Sequence, residues 1–228
     1  MGRRNQSVKR KCAKEATKMI KDGMTTGFGG GSTVQYLIEE VALSGKKIRA
    51  VTPSMDTEEV CNKYHIPVLS LSHVGHIDIA FEGCDELDRD LNAIKSCGGI
   101  HTREKIVAEM AEQYILLADE SKFFEQLQFG YPITVEVLPC ARTFVREKLE
   151  QMGAIVNERH CANKTGLTVT DDGNYLMEAE FKSTSEIEML NQQLNEIPGL
   201  VGHALFYQVG TGAIIAGADD IRILKKER

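Results

Sequence analysis

The 228-residue chain lacks several features that would place it in a specialised class of protein. It has no tryptophan, only five prolines, and no repeated or low-complexity segment. No apolar run approaches the ~18 residues that cross a bilayer, and no apolar segment follows the basic N-terminus as it would in a secretory signal. We therefore expect no membrane partner and a cytoplasmic location.

The chain is also poor in paired cysteines and in positive charge. Its six cysteines form neither a C-x-x-C pair nor a dense framework, so we expect free thiols in a reducing compartment. The net charge of −6 argues against nucleic acid as the main partner, although an acidic protein can bind one phosphate locally. Hydrophobic residues at 42% and charged residues at 26% are typical of a globular domain.

Two patterns that resemble metal sites are incomplete. His73 and His76 lie three residues apart, but no further ligands complete the set of four that structural zinc requires. A run beginning at Asp88 resembles the start of an EF-hand loop. That run has Ala93 at position six and Gly99 at position twelve, where glycine and glutamate are needed. We expect no metal.

Strand and helix patterns alternate through the first half of the chain. This alternation predicts a parallel sheet with right-handed crossovers. The predicted strands are 24–28, 47–52, 66–70, 77–81 and 114–118, and the predicted helices are 7–22, 34–41 with Ser32 as N-cap, 55–64, and one beginning near Thr102.

The second half has a different order of elements. Strands at 133–138, 154–158, 167–170, 175–181 and 202–209 combine with helices at 141–152 and 186–197, and a turn falls at Asp172–Asn174. Strand-helix-strand repeated twice is the ferredoxin-like pattern. Segments 213–216 and 221–224 are predicted to return to the first sheet.

The predicted fold class is therefore α/β. We expect a Rossmann-like, mostly parallel sheet flanked by helices, with a smaller α+β ferredoxin-like subdomain. The predicted boundaries are 1–130 plus 211–228 for the first unit and 131–210 for the second.

Chemically active side chains gather at two predicted strand ends. Strand 77–81 runs into the acidic turn Glu82–Glu86, with Lys95 soon after it, and strand 114–118 ends just before Lys122. In open α/β sheets ligands bind beyond the carboxyl ends of strands, so these groups predict a site. Glu104 lies in the first turn of the following helix, where a glutamate can equally well serve only to complement the helix dipole.

A glycine-rich loop precedes the predicted second helix. Gly29–Gly31 would allow close backbone approach, and the amides at a helix start attract an anion. Ser32 stands where the dinucleotide fingerprint needs its third glycine, so that fingerprint is absent. A tight turn without a ligand remains the alternative for the loop alone.

Taken in order, these motifs resemble the type A ribose-5-phosphate isomerase family. The family's D-G-A-D-E, K-G-G-G, R-E-K-I and D-E-S-K correspond here to Glu82–Glu86, Lys95–Gly98, Arg103–Ile106 and Asp119–Lys122. Further similarity is found at Gly29–Thr33, Val135–Pro139, Thr170–Asn174 and Pro198–Val201. The resemblance covers nearly the whole chain.

The resemblance implies a function and a set of site residues. It implies interconversion of D-ribose 5-phosphate and D-ribulose 5-phosphate through an enediolate, in the non-oxidative pentose phosphate pathway. No cofactor or metal, a sugar phosphate as the small-molecule partner, and a homodimer or tetramer are implied as well. Glu104 would be the general base, with Asp85, Lys95 and Glu82 as the other catalytic residues. The implied substrate-binding residues are Gly30, Gly31, Ser32, Thr33, Glu82, Gly83, Cys84, Asp85, Lys95, Ser96, Cys97, Gly98 and Lys122.

The chain departs from the family pattern at several of these positions. Glu82 replaces an aspartate, Gly30 replaces a threonine, and Ser96 and Cys97 replace two glycines. We hypothesise that the longer Glu82 side chain and the space left at Gly30 compensate for each other or reshape the end of the pocket away from Glu104, and we interpret the chain as a divergent member.

Two other functions remain open from the residues. Coenzyme A transferases of related fold also use a glutamate, there as a nucleophile. A non-catalytic sugar-phosphate sensor of the same fold is the other alternative, although no basic or helix-turn-helix segment is evident. The order of the motifs favours the isomerase.

Overall fold

The computed structural model describes residues 3–162, 165–182 and 186–226, and all the elements below lie in those ranges. The helices are α1 (Arg3–Thr17), α2 (Ser32–Ser44), α3 (Met55–Lys63), α4 (His101–Met110), α5 (Arg142–Gln151) and α6 (Ile187–Asn195). The strands are β1 (Thr25–Phe28), β2 (Arg49–Val51), β3 (Ile79–Gly83), β4 (Glu86–Asp88), β5 (Ala93–Ile94), β6 (Tyr114–Asp119), β7 (Phe123–Phe124), β8 (Ile133–Val137), β9 (Ile155–Glu158), β10 (Tyr175–Glu180), β11 (Leu200–His203), β12 (Leu205–Phe206), β13 (Gly212–Ala216) and β14 (Ile221–Lys225). Within these ranges no helix combines the length and apolar character needed to cross a membrane.

The largest sheet has six strands in the order β14-β13-β6-β3-β1-β2. All neighbours are parallel except the β13–β14 pair. Successive side chains of β6 point to opposite faces: Ile115 and Leu117 pack with α1 and α2, whereas Leu116 and Ala118 pack with Val107 of α4. Both faces are covered, which explains why these strands are continuously apolar. The predicted parallel α/β sheet is confirmed.

The prediction of a strand at 66–70 in this sheet is wrong. Segment 66–70 makes a single parallel bridge between Val68 and Ala50. Extending the ladder in one direction would require an N–H at Pro67, which proline lacks. The segment therefore lies beside β2 without forming a strand.

Helix α1 is also displaced from its prediction, because it ends at Thr17 and not at residue 22. The Thr17 hydroxyl donates to the Ala13 carbonyl oxygen at 2.9 Å, and Met19 N donates to Ala16 O in a tighter turn. The chain then turns through Gly23, whose φ of 84° is left-handed.

The second sheet has the order β11-β8-β10-β9, with every neighbouring pair antiparallel. Helices α5 and α6 contribute Val145, Leu149, Leu190 and Leu194 to the same apolar cluster. The connectivity β8-α5-β9-β10-α6-β11 is the ferredoxin-like pattern, as predicted.

Two predicted strands of this part differ from the structure. Segment 167–170 makes only isolated bridges, although the turn after it forms around Gly173, whose φ is 83°. Segment 202–209 is broken at Ala204, so that β11 and β12 belong to different sheets.

A third sheet, in the order β12-β5-β4-β7, has no counterpart in the predictions. Its strands are two or three residues long, too short for any periodicity to reveal them. Asp85 precedes β4, Lys95 follows β5 and Lys122 precedes β7, so this sheet sets three predicted site residues side by side. Because β12 lies inside 131–210 and pairs with β5, the chain crosses between the two proposed units here, and the domain boundaries stay a prediction.

Glu86 of β4 connects the third sheet to the loop at 128–130, which precedes β8. Its side chain is 2% exposed, and its carboxylate accepts hydrogen bonds from the backbone N–H groups of Gln128, Phe129 and Gly130. Phe129 is buried, and a buried donor is costly to leave without a partner, whereas Gln128 and Gly130 are exposed.

We expect Glu86→Ala to lower the free energy of unfolding by about 1–3 kcal/mol, since the buried Phe129 donor loses its partner at a cost of ~1–3 kcal/mol. Urea unfolding measures the change. Glu147→Ala, at an exposed position of α5, is the control and should change stability by less than ~0.5 kcal/mol. Equal effects of the two substitutions would contradict the structural role of Glu86.

Candidate active site

A cavity of about 450 Å³ opens at the carboxyl ends of β1, β3 and β6. This is the edge of a parallel sheet at which ligands bind. Most of the predicted site residues line it, namely Gly30, Gly31, Ser32, Thr33, Gly83, Cys84, Asp85, Lys95, Cys97, Gly98, Glu104 and Lys122. Glu82 and Ser96 are the two predicted residues that do not.

The centre of the site is a buried lysine between two carboxyl groups. Lys95 Nζ lies 3.4 Å from Glu82 Oε1 and 3.4 Å from Glu104 Oε2, and it also donates to the Gly83 carbonyl oxygen. The three side chains are 5%, 1% and 6% exposed for Lys95, Glu82 and Glu104. The ring of Phe206 closes the site behind the ammonium group. Water therefore contributes little to the solvation of these charges.

Burial changes the acidity of all three groups. It is the largest cause that raises the pKa of Glu82, to about 8, and the negative charge of Glu104 adds to it. Burial also raises the pKa of Glu104, while the Lys95 ammonium partly offsets that rise. For Lys95, burial lowers the pKa but the two carboxylates outweigh it, so the pKa lies above its usual value. A pKa of about 8 favours the protonated form of Glu82 near neutral pH, and the raised pKa of Lys95 favours its ammonium form.

Glu82 lies behind the cavity wall, against the glycine loop. Its Oε1 accepts a hydrogen bond from Gly30 N at 3.0 Å, and its Oε2 has no hydrogen-bond partner. A Cβ on Gly29 would stand 1.7 Å from both carboxylate oxygens, so only glycine fits there. A Cβ on Gly30 would meet only Ile100 Cδ1, at 3.6 Å. Glu82 therefore does not occupy the space at Gly30, and a joint effect of the two departures on the end of the pocket stays a prediction.

The start of α2 forms another wall of the cavity. Gly31 is the N-cap and has no side-chain cap. Ser32, predicted to be the N-cap, is instead the first helical residue, so the helix begins one residue earlier than predicted. The amides of this first turn lack intrahelical partners and can bind an anion. Ser32 Oγ accepts a hydrogen bond from Lys9 Nζ at 2.9 Å.

Two lysines stand near this helix start. Lys122 Nζ donates to the Cys84 carbonyl oxygen at 2.5 Å. The pKa of Lys9 is lowered by burial and then by the positive charge of Lys122, which places the two ammonium groups in one region. Sequence reasoning missed Lys9 because the basic face of α1 is typical of a solvated helix. Only the packing of α1 against α2 brings Lys9 to the cavity.

Asp85 is held by the loop that follows Lys95. Its Oδ2 accepts a hydrogen bond from Cys97 N at 3.0 Å. On the opposite wall, Asp171 belongs to the turn that Arg103 ties to α4, with Arg103 Nη1 lying 3.1 Å from Asp171 Oδ2. No local signal in the sequence identified Asp171 or Ile100 as lining residues.

Ser96 does not face the cavity, contrary to its prediction as a substrate-binding residue. Its hydroxyl donates to the Pro132 carbonyl oxygen and accepts from Thr134 N, so the side chain is turned toward the second sheet. Its neighbour Cys97 does line the cavity.

Among the described residues, the cysteines form no disulfide, and neither they nor the histidines belong to a metal cluster. All six thiols are free. Burial is the main cause that raises the pKa of both Cys84 and Cys97 to about 11, so both are neutral thiols near pH 7. His76 Nε2 faces Asp78 at 3.5 Å, and no group of three or more potential metal ligands occurs among the residues that the structure describes.

The comparisons with known proteins agree over nearly the full length. The family model for Ribose 5-phosphate isomerase A (phosphoriboisomerase A) matches residues 49–220. The ribose-5-phosphate isomerase A of Methanothermobacter thermautotrophicus is 38% identical, covering 96% of this chain and 98% of its own. That of Prochlorococcus marinus is 35% identical, covering 96% and 97%.

Solved structures give the same result. Ribose 5-phosphate isomerase A from Methanocaldococcus jannaschii superposes with a TM-score of 0.91 at 33% identity, covering 97% of this chain and 100% of its own. A D-ribose-5-phosphate isomerase in complex with phospho-erythronic acid superposes with a TM-score of 0.92 at 32% identity, covering 96% and 98%. The chain therefore belongs to the ribose 5-phosphate isomerase A family.

Proposed function

We propose that this chain interconverts D-ribose 5-phosphate and D-ribulose 5-phosphate. The observation that carries the proposal is the Glu82–Lys95–Glu104 cluster at one end of a cavity whose other end is a helix start with two lysines. One end suits proton transfer at carbon and the other suits a phosphate. A related isomerase binds phospho-erythronic acid, itself a phosphorylated sugar acid.

In the proposed reaction Glu104 is the general base. Its carboxylate removes the proton from C2 of the open-chain aldose and returns it to C1, while one hydroxyl proton moves from O2 to O1. The negative charge that develops on the enediolate oxygens faces the Lys95 ammonium, in a site from which water is largely excluded. Asp85 lines the same cavity and is proposed to bind the sugar hydroxyls.

Glu82 acts through Lys95 in this scheme. It was expected to be catalytic, but it lies behind the wall of the cavity and touches Lys95 and the Gly30 amide. By holding a proton near neutral pH, it leaves Lys95 and Glu104 as a balanced pair. We propose that it positions these groups without contacting substrate.

The phosphate is proposed to bind at the start of α2. Ser32 and Thr33 supply hydroxyls and backbone amides, and Lys9 and Lys122 supply positive charge. Gly83, Cys84, Cys97 and Gly98 contribute the wall between the two ends. The dimer or tetramer and the cytoplasmic location stay predictions.

The direct test is an assay of the purified protein on aldose and ketose phosphates, with and without exhaustive EDTA treatment. We expect turnover of ribose 5-phosphate in both conditions, because Lys95 and backbone donors face the enediolate oxygens without a metal. Absence of isomerase turnover combined with a hydroxylamine-trapped thioester would favour the transferase. Tight binding without turnover would favour the sensor.

Glu104→Gln should lower kcat by about 10² or more, since general base catalysis contributes ~10²–10⁴. The substitution keeps the shape of the side chain and removes the proton acceptor. Glu109→Gln is the matched control, because it makes the same change at an exposed position of the same helix. A Glu104→Gln variant within a few-fold of the wild type would remove this residue from the role of base.

The rate should depend on pH through Glu104. Burial raises its pKa above the usual value of 4.5, and the base must be deprotonated, so kcat/KM should fall as pH drops through that raised pKa. Inhibition by inorganic phosphate at the same pH values separates ionisation of the ligand from that of Glu104. A kcat/KM that stays constant down to pH 4.5 would contradict the raised pKa.

Lys122→Ala should raise KM more than it lowers kcat. A phosphate remote from the reacting carbons is bound about equally in the ground state and the transition state, so its loss is mainly a loss of uniform binding. Lys14→Ala, at an exposed position of α1, should leave both constants unchanged. Equal losses in kcat and kcat/KM would place Lys122 at the reacting carbons instead.

A further inference from the structure

We propose that Arg159 of the second sheet is a positioning residue for Lys95 and Asp85. It never reaches the cavity, but it holds the peptide group that joins the loop of Lys95 to the carboxylate of Asp85. The inference rests on the roles proposed above for Lys95 and Asp85.

The Arg159 guanidinium spans several acceptors at once. It follows β9 directly, and its side chain is 18% exposed. Nη2 donates to Ser96 O at 2.9 Å and to Thr134 Oγ1 at 3.0 Å, and Nη1 donates to Cys97 O at 3.4 Å. Nε donates to Glu178 Oε1 at 2.9 Å, and this bond fixes the orientation of the planar guanidinium group. Two consecutive carbonyl groups after Lys95 are therefore held by one side chain.

Ser96 is bound to the same sheet on its other side. Its hydroxyl contacts Pro132 O and Thr134 N, and the Thr134 hydroxyl donates to Ser96 O at 3.1 Å. A serine at this position thus adds bonds that a glycine could not make. The Ser96 side chain therefore holds the loop, and its role in substrate binding stays a prediction.

The peptide between Ser96 and Cys97 transmits this constraint to the site. Its carbonyl oxygen is bound by Arg159, and its N–H donates to Asp85 Oδ2 at 3.0 Å. Because a peptide group is planar, fixing the carbonyl also fixes the direction of the N–H. Glu178, Arg159, this peptide and Asp85 form one continuous hydrogen-bonded chain, in which each bond polarises the next.

Lys95 is the residue immediately before this peptide. Its own N–H donates to Ala204 O at 3.0 Å, so the backbone is held on both sides of the side chain that reaches Glu104. Releasing one side allows the ammonium group to shift relative to Glu104. A displacement of about 1 Å can cost ~10²-fold in rate when the geometry of reacting groups matters.

Among the residues that the structure describes, neither Ser32 nor Lys122 shares a hydrogen bond or ion pair with Arg159. Ser32 is held by Lys9, and Lys122 is held by Cys84 O, all within the first part of the chain. Loss of Arg159 should therefore reduce kcat and leave phosphate binding unchanged. A general loss of structure would change both.

The experiment compares Arg159→Gln with Arg146→Gln. Arg146 is a matched control, since it also belongs to the second sheet's layer and donates to Val156 O and pairs with Glu158, but touches no residue of the loop. For each variant we measure kcat and KM for ribose 5-phosphate, the Ki of inorganic phosphate and Tm. We expect Arg159→Gln to lower kcat by about 10–100-fold with Ki within twofold, and Arg146→Gln to keep kcat within twofold.

A second variant keeps the inference testable if Arg159→Gln fails to fold. Arg159→Lys retains the charge but offers one nitrogen in place of the three that bind Glu178, Ser96 O and Cys97 O, so kcat should remain at least several-fold low. Wild-type kcat in either Arg159 variant, or a Ki that changes in parallel with kcat, would overturn the positioning role.

Lys95→Gln separates this inference from the proposed function. A large fall in kcat for Lys95→Gln without a fall for Arg159→Gln would overturn the role of Arg159 alone. Wild-type kcat in Lys95→Gln would overturn the role proposed for Lys95 and the inference that rests on it.

Discussion

The burial of one ammonium group between two carboxyl groups is the interaction on which the site depends. Removing a charge from water costs several kcal/mol per ion, so Lys95 is stable in this position only because Glu82 and Glu104 lie 3.4 Å away. Two carboxylates beside one ammonium would leave an excess negative charge, and burial raises the pKa of Glu82 to about 8, which favours its protonated form and reduces that excess. In the proposed mechanism Glu104 is then the carboxylate that acts as the base. A reactive group and a stable interior are obtained from the same three side chains.

Each of the three sheets contributes to the position of this cluster. The parallel sheet supplies Glu82 at the end of β3, and α4, which packs on one face of that sheet, supplies Glu104 from its first turn. Lys95 comes from the short third sheet, and the second sheet holds the loop after it through Thr134 and Arg159. The ferredoxin-like part therefore supports the geometry of a site whose lining comes mostly from the first half of the chain.

The large elements and the position of the site could be predicted from the sequence because both depend on local patterns. Continuous apolar strands ending in charged turns located the cavity, and the order of motifs identified Glu104 and Lys122 as lining residues. Lys9 was missed because only the packing of two helices brings it to the cavity. Ser96 was misplaced because its backbone follows Lys95 while its side chain turns toward Pro132. Strands of two or three residues carry no periodicity, so the third sheet could not be predicted.

The departures from the family pattern act at two different places in the structure. The longer side chain of Glu82 is accommodated because Gly29 has no Cβ. The Glu82 carboxyl group lies 3.4 Å from Lys95 Nζ. The space at Gly30 faces Ile100, on the wall of the cavity that would contact the sugar. The first change lies beside the Lys95 ammonium, whereas the second alters the shape and polarity of the cavity wall. Both departures act through the same glycine loop, because Glu82 accepts a hydrogen bond from Gly30 N while the open space at Gly30 faces Ile100.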